Sequence, residues 1–399
     1  MTAPFDVAGA VASVYDEMVD TRRELHRRPE LGFEERATTA LVRKRLAGLG
    51  LAETALPLPT GAVFTLEGGR PGGTVVLRAD MDALPVAERV EVPYASAVDG
   101  VMHACGHDAH TAALLGVARL LAARAGDVPG RYVFVFQPAE EQLGGAQAML
   151  DAGLFDDLPA GARLIGCHVA SPLPVGWVGV RAGVAMSEVH AVRVTLRGPG
   201  GHGAMAGDEG NVVLALTRLS AELGDVVRGL VFEEVHCVCS AGVLRVGTAP
   251  NVVPEHAVLE GTLRTFTDDQ REEALGRLGD LCRRVGEAYA VDVDLQLPGH
   301  SSAVVNDPAT ATVVEATAVG LLPEGQVVQM PPVAPSDDVS EFLLRVPGCY
   351  FLVGAGRPDG SSGPHHAPTF AIDEACLRVA AEVLTGAALA LAVTPAAVP

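Results

Sequence analysis

A single lysine, Lys44, occurs in 399 residues, and the 29 Lys and Arg together are outnumbered by 49 Asp and Glu. The resulting net charge of −20 argues against a polyanion partner, because nucleic acid binding needs Lys and Arg concentrated on one surface. Acidity of this kind serves solubility instead. The first thirty residues have neither a basic start nor a continuous apolar stretch, being interrupted by Asp6, Asp16, Glu17 and Asp20, so no secretory signal is expected. No membrane span is expected either, since Asp, Glu, Arg or Gly interrupts every apolar run. The seven cysteines are scattered and odd in number, which argues for reduced thiols and a cytoplasmic location rather than a disulfide framework. Repeats and low-complexity tracts are also lacking, beyond a general richness in Ala, Gly and Val.

What is present is a set of short clusters rich in metal-binding side chains: Met102-His103-Ala104-Cys105-Gly106-His107-Asp108, Gln137-Pro138-Ala139-Glu140-Glu141, Gly166-Cys167-His168 and His365-His366. Thiolate, imidazole and carboxylate groups are what a divalent-metal hydrolase needs. Several clusters sit at the downstream end of an apolar run. Thr74 to Ala79 leads to Asp80 and Asp82, Tyr132 to Phe136 leads to the Glu pair, and Leu164 to Gly166 leads to Cys167 and His168. Runs that are apolar throughout read as strands buried on both faces of a parallel sheet. Open parallel sheets place their sites outside the carboxyl ends of the strands, so the clusters are expected to converge on one edge.

The chain is long enough for two domains, and with 49% hydrophobic residues it can bury a large core. Its pattern changes twice. Up to about Gly183 apolar strands alternate with helical segments, at Thr38 to Leu49 and at Ala109 to Ala125, which predicts an α/β fold with a mostly parallel sheet flanked by helices. From Ser187 the order becomes strand (189–196), helix (211–227), strand (235–246), strand (257–265), helix (268–290), strand (291–297), the split βαβ or ferredoxin-like unit. Val192, Val194 and Leu196 alternate with Arg193, Thr195 and Arg197, as a sheet with one wet face requires. After Pro298 the α/β pattern resumes, with a helix at 308–321 and a strand at 350–353. The expected organisation is therefore a larger domain made of residues 1–184 and 298–399, with a smaller α+β domain, 185–297, inserted.

Cys105 and His107 are two apart, so in an extended loop both side chains face one side. A helix starting just after them would favour the Cys105 thiolate through its dipole. An isolated C-x-H is more often a buried cysteine beside a surface histidine, but His103, His107, Asp108 and His110 crowd into eight residues. Glu140 and Glu141 leave their strand pointing in different directions, so one can bind metal while the other, as general base, faces the attacking water. Asp80 and Asp82 make sense as ligands or as groups orienting ligating histidines. His168 ends an apolar run, and one of His365 and His366 is a further candidate ligand. In the smaller domain, Gly198-Pro199-Gly200-Gly201-His202-Gly203 lifts a histidine on a glycine-rich loop, read equally well as a flexible hairpin.

These segments, together with His26-Arg27-Arg28-Pro29-Glu30-Leu31-Gly32-Phe33, Arg78-Ala79-Asp80-Met81-Asp82, Asn251-Val252-Val253-Pro254, Gly261-Thr262-Leu263-Arg264 and His366-Ala367-Pro368, resemble the metallo-amidohydrolases related to hippurate hydrolase, N-acyl-amino-acid deacylases and indole-acetyl-amino-acid hydrolases. The resemblance runs over nearly the whole chain in the family's order. It implies a zinc-exopeptidase-like catalytic domain and a binuclear site held by Cys105, His107, Glu141, His168 and His366. Zinc or manganese would suit it, with cobalt or nickel compatible. It further implies Glu140 as general base for a metal-bridged hydroxide, and an inserted lid and dimerisation domain whose His202 stabilises the oxyanion in a partner subunit. Asn251 and Arg264 would hold the substrate. The expected activity is hydrolysis of the amide bond of a small N-acyl amino acid, hippurate-like or related, by a homodimer.

Three stretches depart from the family's pattern: Met205, Gly207, Gly210 and Asn211 after the lid histidine, Ser336-Asp337-Asp338-Val339, and His365-His366-Ala367-Pro368. They shape the expected substrate pocket without removing a ligand or the base. The alternatives are a dipeptidase or carboxypeptidase of the same architecture and a catalytically silent dimeric binding protein. A Cys105 nucleophile is a third, which predicts activity surviving chelation.

Overall fold

A computed structural model describes residues 5–394. In chain order the principal strands are β1 (Ala52–Thr54), β2 (Ala62–Glu67), β3 (Arg70–Asp80), β4 (Pro129–Gln137), β5 (Arg163–Pro174), β6 (Val178–Val180), β7 (Glu188–Arg197), β8 (Val238–Val246), β9 (His256–Thr265), β10 (Asp292–Ser301), β11 (Val327–Gln329) and β12 (Gly348–Gly356). The principal helices are α1 (Tyr15–Arg27), α2 (Arg36–Leu46), α3 (His107–Ala123), α4 (Val212–Glu222), α5 (Asp268–Tyr289), α6 (Pro308–Leu321) and α7 (Cys376–Val393). They form two compact units. The larger holds the described residues up to Gly183, Val305–Met330 and those from Asp338 onward; the smaller holds Val184–Val304 and Pro331–Asp337.

The larger unit is built on one mixed sheet in the order β1-β2-β4-β3-β5-β12-β6-β11. At its centre β4, β3, β5 and β12 run parallel. The edge strands β1 and β2 are antiparallel, as is the β12–β6 pair. The central strands are apolar on both faces because helices cover both: Leu77, Phe134, Phe136, Ile165 and Phe351 are at most 1% exposed. Helix α3 is buried nearly all round, and its small residues allow close packing; a Cβ on Gly116 would sit 2.4 Å from Met18 Sδ on α1.

Two expectations need correction. Strand β5 does not stop at Gly166. Its pairing with β3 ends at Arg78–Gly166, but β12 follows it through Leu352–His168 and on to Gly356–Pro174, so Cys167 and His168 lie within a strand. Helix α7 is long and apolar enough, by length and composition, to cross a membrane, contrary to the expectation that no segment approaches the length of a span, although Arg378, Glu382 and Gly386 do interrupt it. Its single Arg and Glu, Arg378 and Glu382, neutralise each other at i,i+4, and its apolar residues pack into the core of the larger unit.

The smaller unit runs β7-α4-β8-β9-α5-β10, and its four antiparallel strands lie in the order β8-β9-β7-β10. One face is covered by α4 and α5, where Val192, Val194 and Leu196 meet Leu216, Leu219, Leu278 and Leu281. Arg193 and Arg197 face the other way, as the alternation predicts. Helix α5 is capped by Thr267, whose hydroxyl accepts from the Gln270 N–H at 3.3 Å, with Asp268 and Asp269 in the first turn. This unit also reaches beyond residue 297. The edge strand β10 accommodates Pro298 at a bulge between Gln296 and Gly299 and continues to Ser301. Residues 331–337 join the unit because Val333 bonds both ways, its N–H to the Ala185 carbonyl at 2.9 Å and its carbonyl to the Ser187 N–H at 3.0 Å.

Candidate metal centre

The carboxyl edge of the central strands carries a dense set of buried polar groups. At the end of β3, Arg78 is 2% exposed and fully engaged: Nε donates to Gln137 Oε1 at 2.8 Å, Nη1 to Asp80 Oδ2 at 2.7 Å and Nη2 to Asp338 Oδ1 at 3.3 Å. Asp338 also accepts from Gln137 Nε2 at 2.6 Å and from the Ala146 N–H at 2.9 Å. The other oxygen of Asp80 lies 2.6 Å from His110 Nδ1, whose Nε2 accepts the Val169 N–H at 2.9 Å. Burial would raise Asp80, but His107, His110 and Arg78 hold it well below the usual carboxylate range.

Asp82, two residues on, ties two clusters together. Its Oδ1 lies 3.2 Å from His107 Nδ1 and accepts the Glu140 N–H at 3.1 Å, while Oδ2 accepts the Glu141 N–H at 3.0 Å. Ahead of the Glu pair, Ala139 adopts a left-handed conformation (φ 53°), and its N–H is taken by the buried carboxylate of Glu35 at 2.8 Å. A non-glycine residue held there is the kind of backbone strain that gathers at functional sites. It turns Glu140 and Glu141 out of the strand direction and back toward His107: the Nε2 of His107 is 3.9 Å from Glu140 Oε2 and 3.8 Å from Glu141 Oε1.

Cys105 and His107 face the same cluster for a different reason from the extended loop expected. Gly106 takes φ 92° and ψ 14°, a left-handed turn that opens α3 directly at His107. A Cβ there would lie 2.3 Å from Val169 Cγ2, so β5 itself occupies the space a side chain would need. From β5, His168 brings Nε2 to 3.4 Å from Cys105 Sγ. His366, also left-handed (φ 65°), is pinned by its N–H to the Ala104 carbonyl at 2.9 Å, and its Nε2 stands 3.4 Å from Glu141 Oε1.

Cys105, His107 and His168 thus form one group whose donor atoms all lie within 4.8 Å of one another, Cys105, Glu141 and His366 a second, and His107, Glu140 and Glu141 a third. The structure brings together the expected ligands of the larger unit, Cys105, His107, Glu141, His168 and His366, with Glu140, Asp80 and Asp82 beside them. His202, Asn251 and Arg264 belong to the smaller unit. His202 sits on an exposed two-residue strand paired with Val252 and Val253, next to Asn251, whose carbonyl accepts the Gly203 N–H at 2.8 Å. Arg264 donates from Nη1 to the Ala334 carbonyl at 3.1 Å and to Ser336 Oγ at 2.8 Å.

The donor set fits divalent cations. His107 Nε2 and Glu141 Oε1 are buried without a hydrogen-bond partner, although each is an atom that burial makes costly to leave unpaired. Burial and the neighbouring His110 and His365 hold His168 well below its usual pKa, and with Nδ1 2.7 Å from the Val169 carbonyl it is Nε2 that faces Cys105. Cys105 corrects the expectation of a dipole-favoured thiolate: burial first, then Glu141, Glu140 and Asp80, push its thiol well up. Burial and three carboxylates together oppose the half unit of positive helix charge, and a cation at the site would act in the other direction.

Sequence reasoning left several contributors without a role. Arg78 is signalled only by being an arginine inside an unbroken apolar strand. His110 stands beside the motif with no mark that it, rather than His107, bonds Asp80. His365 is the more enclosed of the histidine pair; its Nδ1 is 3.7 Å from Cys105 Sγ, and its pKa is lowered to about 4 by burial and by His366. Behind the cluster, Asp108 receives Arg22 Nε at 2.8 Å and lies 2.7 Å from His26 Nδ1.

Comparison with known proteins agrees in scale. The sequence pattern of the peptidase family M20/M25/M40 matches residues 76–390. The N-acetylcysteine deacetylase of Bacillus subtilis is 32% identical over 369 residues, covering 92% of this chain and 95% of its own. Thermostable carboxypeptidase 2 of Saccharolobus solfataricus is 33% identical over 380 residues, covering 93% and 94%. Among solved structures, the YXEP protein of Bacillus subtilis, described as a dinuclear metal-binding peptidase of the M20 family, superposes with a TM-score of 0.79 at 29% identity. That superposition covers 96% of this chain and 99% of that one.

Proposed function

This chain belongs to the peptidase family M20/M25/M40 and is a hydrolase of amide or peptide bonds, and from that premise we propose that it cleaves the amide bond of an N-acyl amino acid. The observation that supports this reading most is the convergence of one sulfur, three imidazoles and one carboxylate around unpartnered buried atoms, beside a second carboxylate. Cys105, His107, Glu141, His168 and His366 would hold two divalent ions. When bound, such ions acidify water and polarise an amide carbonyl. Asp82 orients His107 through Nδ1 and fixes the backbone of Glu140 and Glu141; Asp80 holds His110, which in turn braces β5 behind His168. The carboxylate of Glu140, 3.9 Å from His107 Nε2 beside the ligand set, takes the proton of the attacking water and returns it to the departing nitrogen. The smaller unit serves as lid and dimerisation module, with His202 donating to the developing oxyanion and Asn251 and Arg264 holding the substrate's carboxylate or acyl end.

The carboxypeptidase relative keeps a second reading in view, removal of a terminal residue from a short peptide. Chelated protein, resupplied in turn with zinc, manganese, cobalt and nickel and offered a panel of N-acyl amino acids and dipeptides, separates the two. The expected outcome is metal-restored release of free amino acid from the N-acyl panel, hippurate among it. Restored turnover of the dipeptides alone selects the second reading, and turnover that survives chelation refutes both.

A further inference from the structure

The smaller unit contains a histidine–carboxylate cluster of its own. His190 on β7 and His300 on β10 are direct partners across the antiparallel pair, their rings 4.3 Å apart and inclined by 31°. Glu188, two residues before His190 and therefore on the same face, stands with Oε2 3.9 Å from His190 Nε2 and 3.5 Å from His300 Nε2. The three donor atoms fall within 4.8 Å of one another. His190 Nε2 is buried and has no hydrogen-bond partner, which is costly for a ring nitrogen beside a carboxylate.

We propose that Glu188, His190 and His300 form a further divalent transition-metal site, carried wholly by the smaller unit and separate from the centre in the larger one. Two imidazoles and one carboxylate are a donor set for zinc, cobalt or nickel, with the remaining positions left to water on the half-exposed His300 side. The chemistry of each donor suits the task. Burial and then His300 lower His190, keeping its ring neutral, while His300, Thr265 and Arg271 hold Glu188 below the usual carboxylate range against its burial. Thr265 supplies the supporting contact that ligating carboxylates commonly have, donating its hydroxyl to Glu188 Oε1, while Oε2 is the oxygen turned toward the two histidines. The opposing group is Arg271, whose Nη1 is 3.3 Å from Oε2; it also pairs with Asp268 at 2.6 Å and can keep that partner when a cation enters. A cation here would staple the edge strand β10 to β7 beyond the bulge, where the ladder is weakest.

The test uses the full-length protein, stripped by chelation, re-equilibrated with zinc, separated from free metal and analysed for zinc per chain. The parent should hold about one zinc per chain more than either His190→Gln or His300→Gln. The cobalt-loaded protein should lose a matching part of its visible absorption in the same variants. His300 is 42% exposed, so its replacement leaves the core packing untouched. Equal zinc in the parent and in both variants overturns the proposal, as does a variant that loses all its zinc, since the two sites would then not be separate. The difference is taken against the parent's own content, so the result stands apart from whatever the larger unit's centre hydrolyses.

Discussion

In the larger unit Arg78, Asp80, Asp82 and His107 are at most 2% exposed, with Arg78 bonded to Asp80 and His107 to Asp82, whereas on the open side of the smaller unit's sheet Arg193 and Arg245 pair with Glu260 in contact with water. The same types of charged group therefore meet opposite physics. Removing one partner of a buried pair leaves a charge that nothing solvates, at a cost of about 3–5 kcal/mol, while exposed pairs are worth about 0–1 kcal/mol. In the first cluster two buried atoms, His107 Nε2 and Glu141 Oε1, stand 3.8 Å apart without hydrogen-bond partners. The apolar face of the smaller unit needs no such arrangement.

The contrast can be pushed hardest at Glu140. Glu140→Gln should reduce turnover of the best N-acyl substrate by about 10²–10⁴-fold with metal content unchanged, as a general base outside the ligand set requires; a variant with full activity would remove it from that role. Next is Arg78→Met, which strands Asp80 and Asp338 and should lower unfolding free energy by about 3–5 kcal/mol in chemical denaturation. Asp82→Asn follows: losing the charged acceptor of His107 should weaken metal affinity about 10–100-fold in chelator competition, with a smaller loss of stability.

His26 gives a pH-dependent version. Burial lowers its pKa, but Asp108 and Glu88 more than reverse this, so the folded value is raised. Its contribution is complete below the unfolded value of about 6.5 and is lost as pH rises through the folded one. The melting-temperature gap between the parent and His26→Gln should therefore narrow from pH ~6 to pH ~9. A gap that widens would show that the ring is held neutral. Smallest of all, Arg245→Ala should change stability by less than about 1 kcal/mol, matching its exposed pair with Glu260.

Much of this was legible in residues alone because hydrophobic periodicity reports burial directly. Unbroken runs marked β3 and β4, alternation marked β7, and Thr267-Asp268-Asp269 marked the start of α5. Part of the site was legible for the same reason, since Asp80 and the Glu pair follow strands whose ends the apolar runs announce. What stayed hidden depends on partners distant in sequence. The length of β5 is set by β12, the left-handed turn at Gly106 by Val169, and the raised pKa of the Cys105 thiol by burial and by carboxylates on two other segments. Residues 331–337 carry no local sign of joining the smaller unit; Ala185, Ser187 and Arg264 decide it.

The overhang of β5 past β3 has a kinetic implication. His168 rides on backbone whose amides are locked into the ladder with β12, so its nitrogen cannot drift away from Cys105 by a hinge or a flap. Heat should consequently release bound cations and dissolve the sheet in one step, with amide exchange at Leu352 and Val353 as slow as anywhere in the molecule.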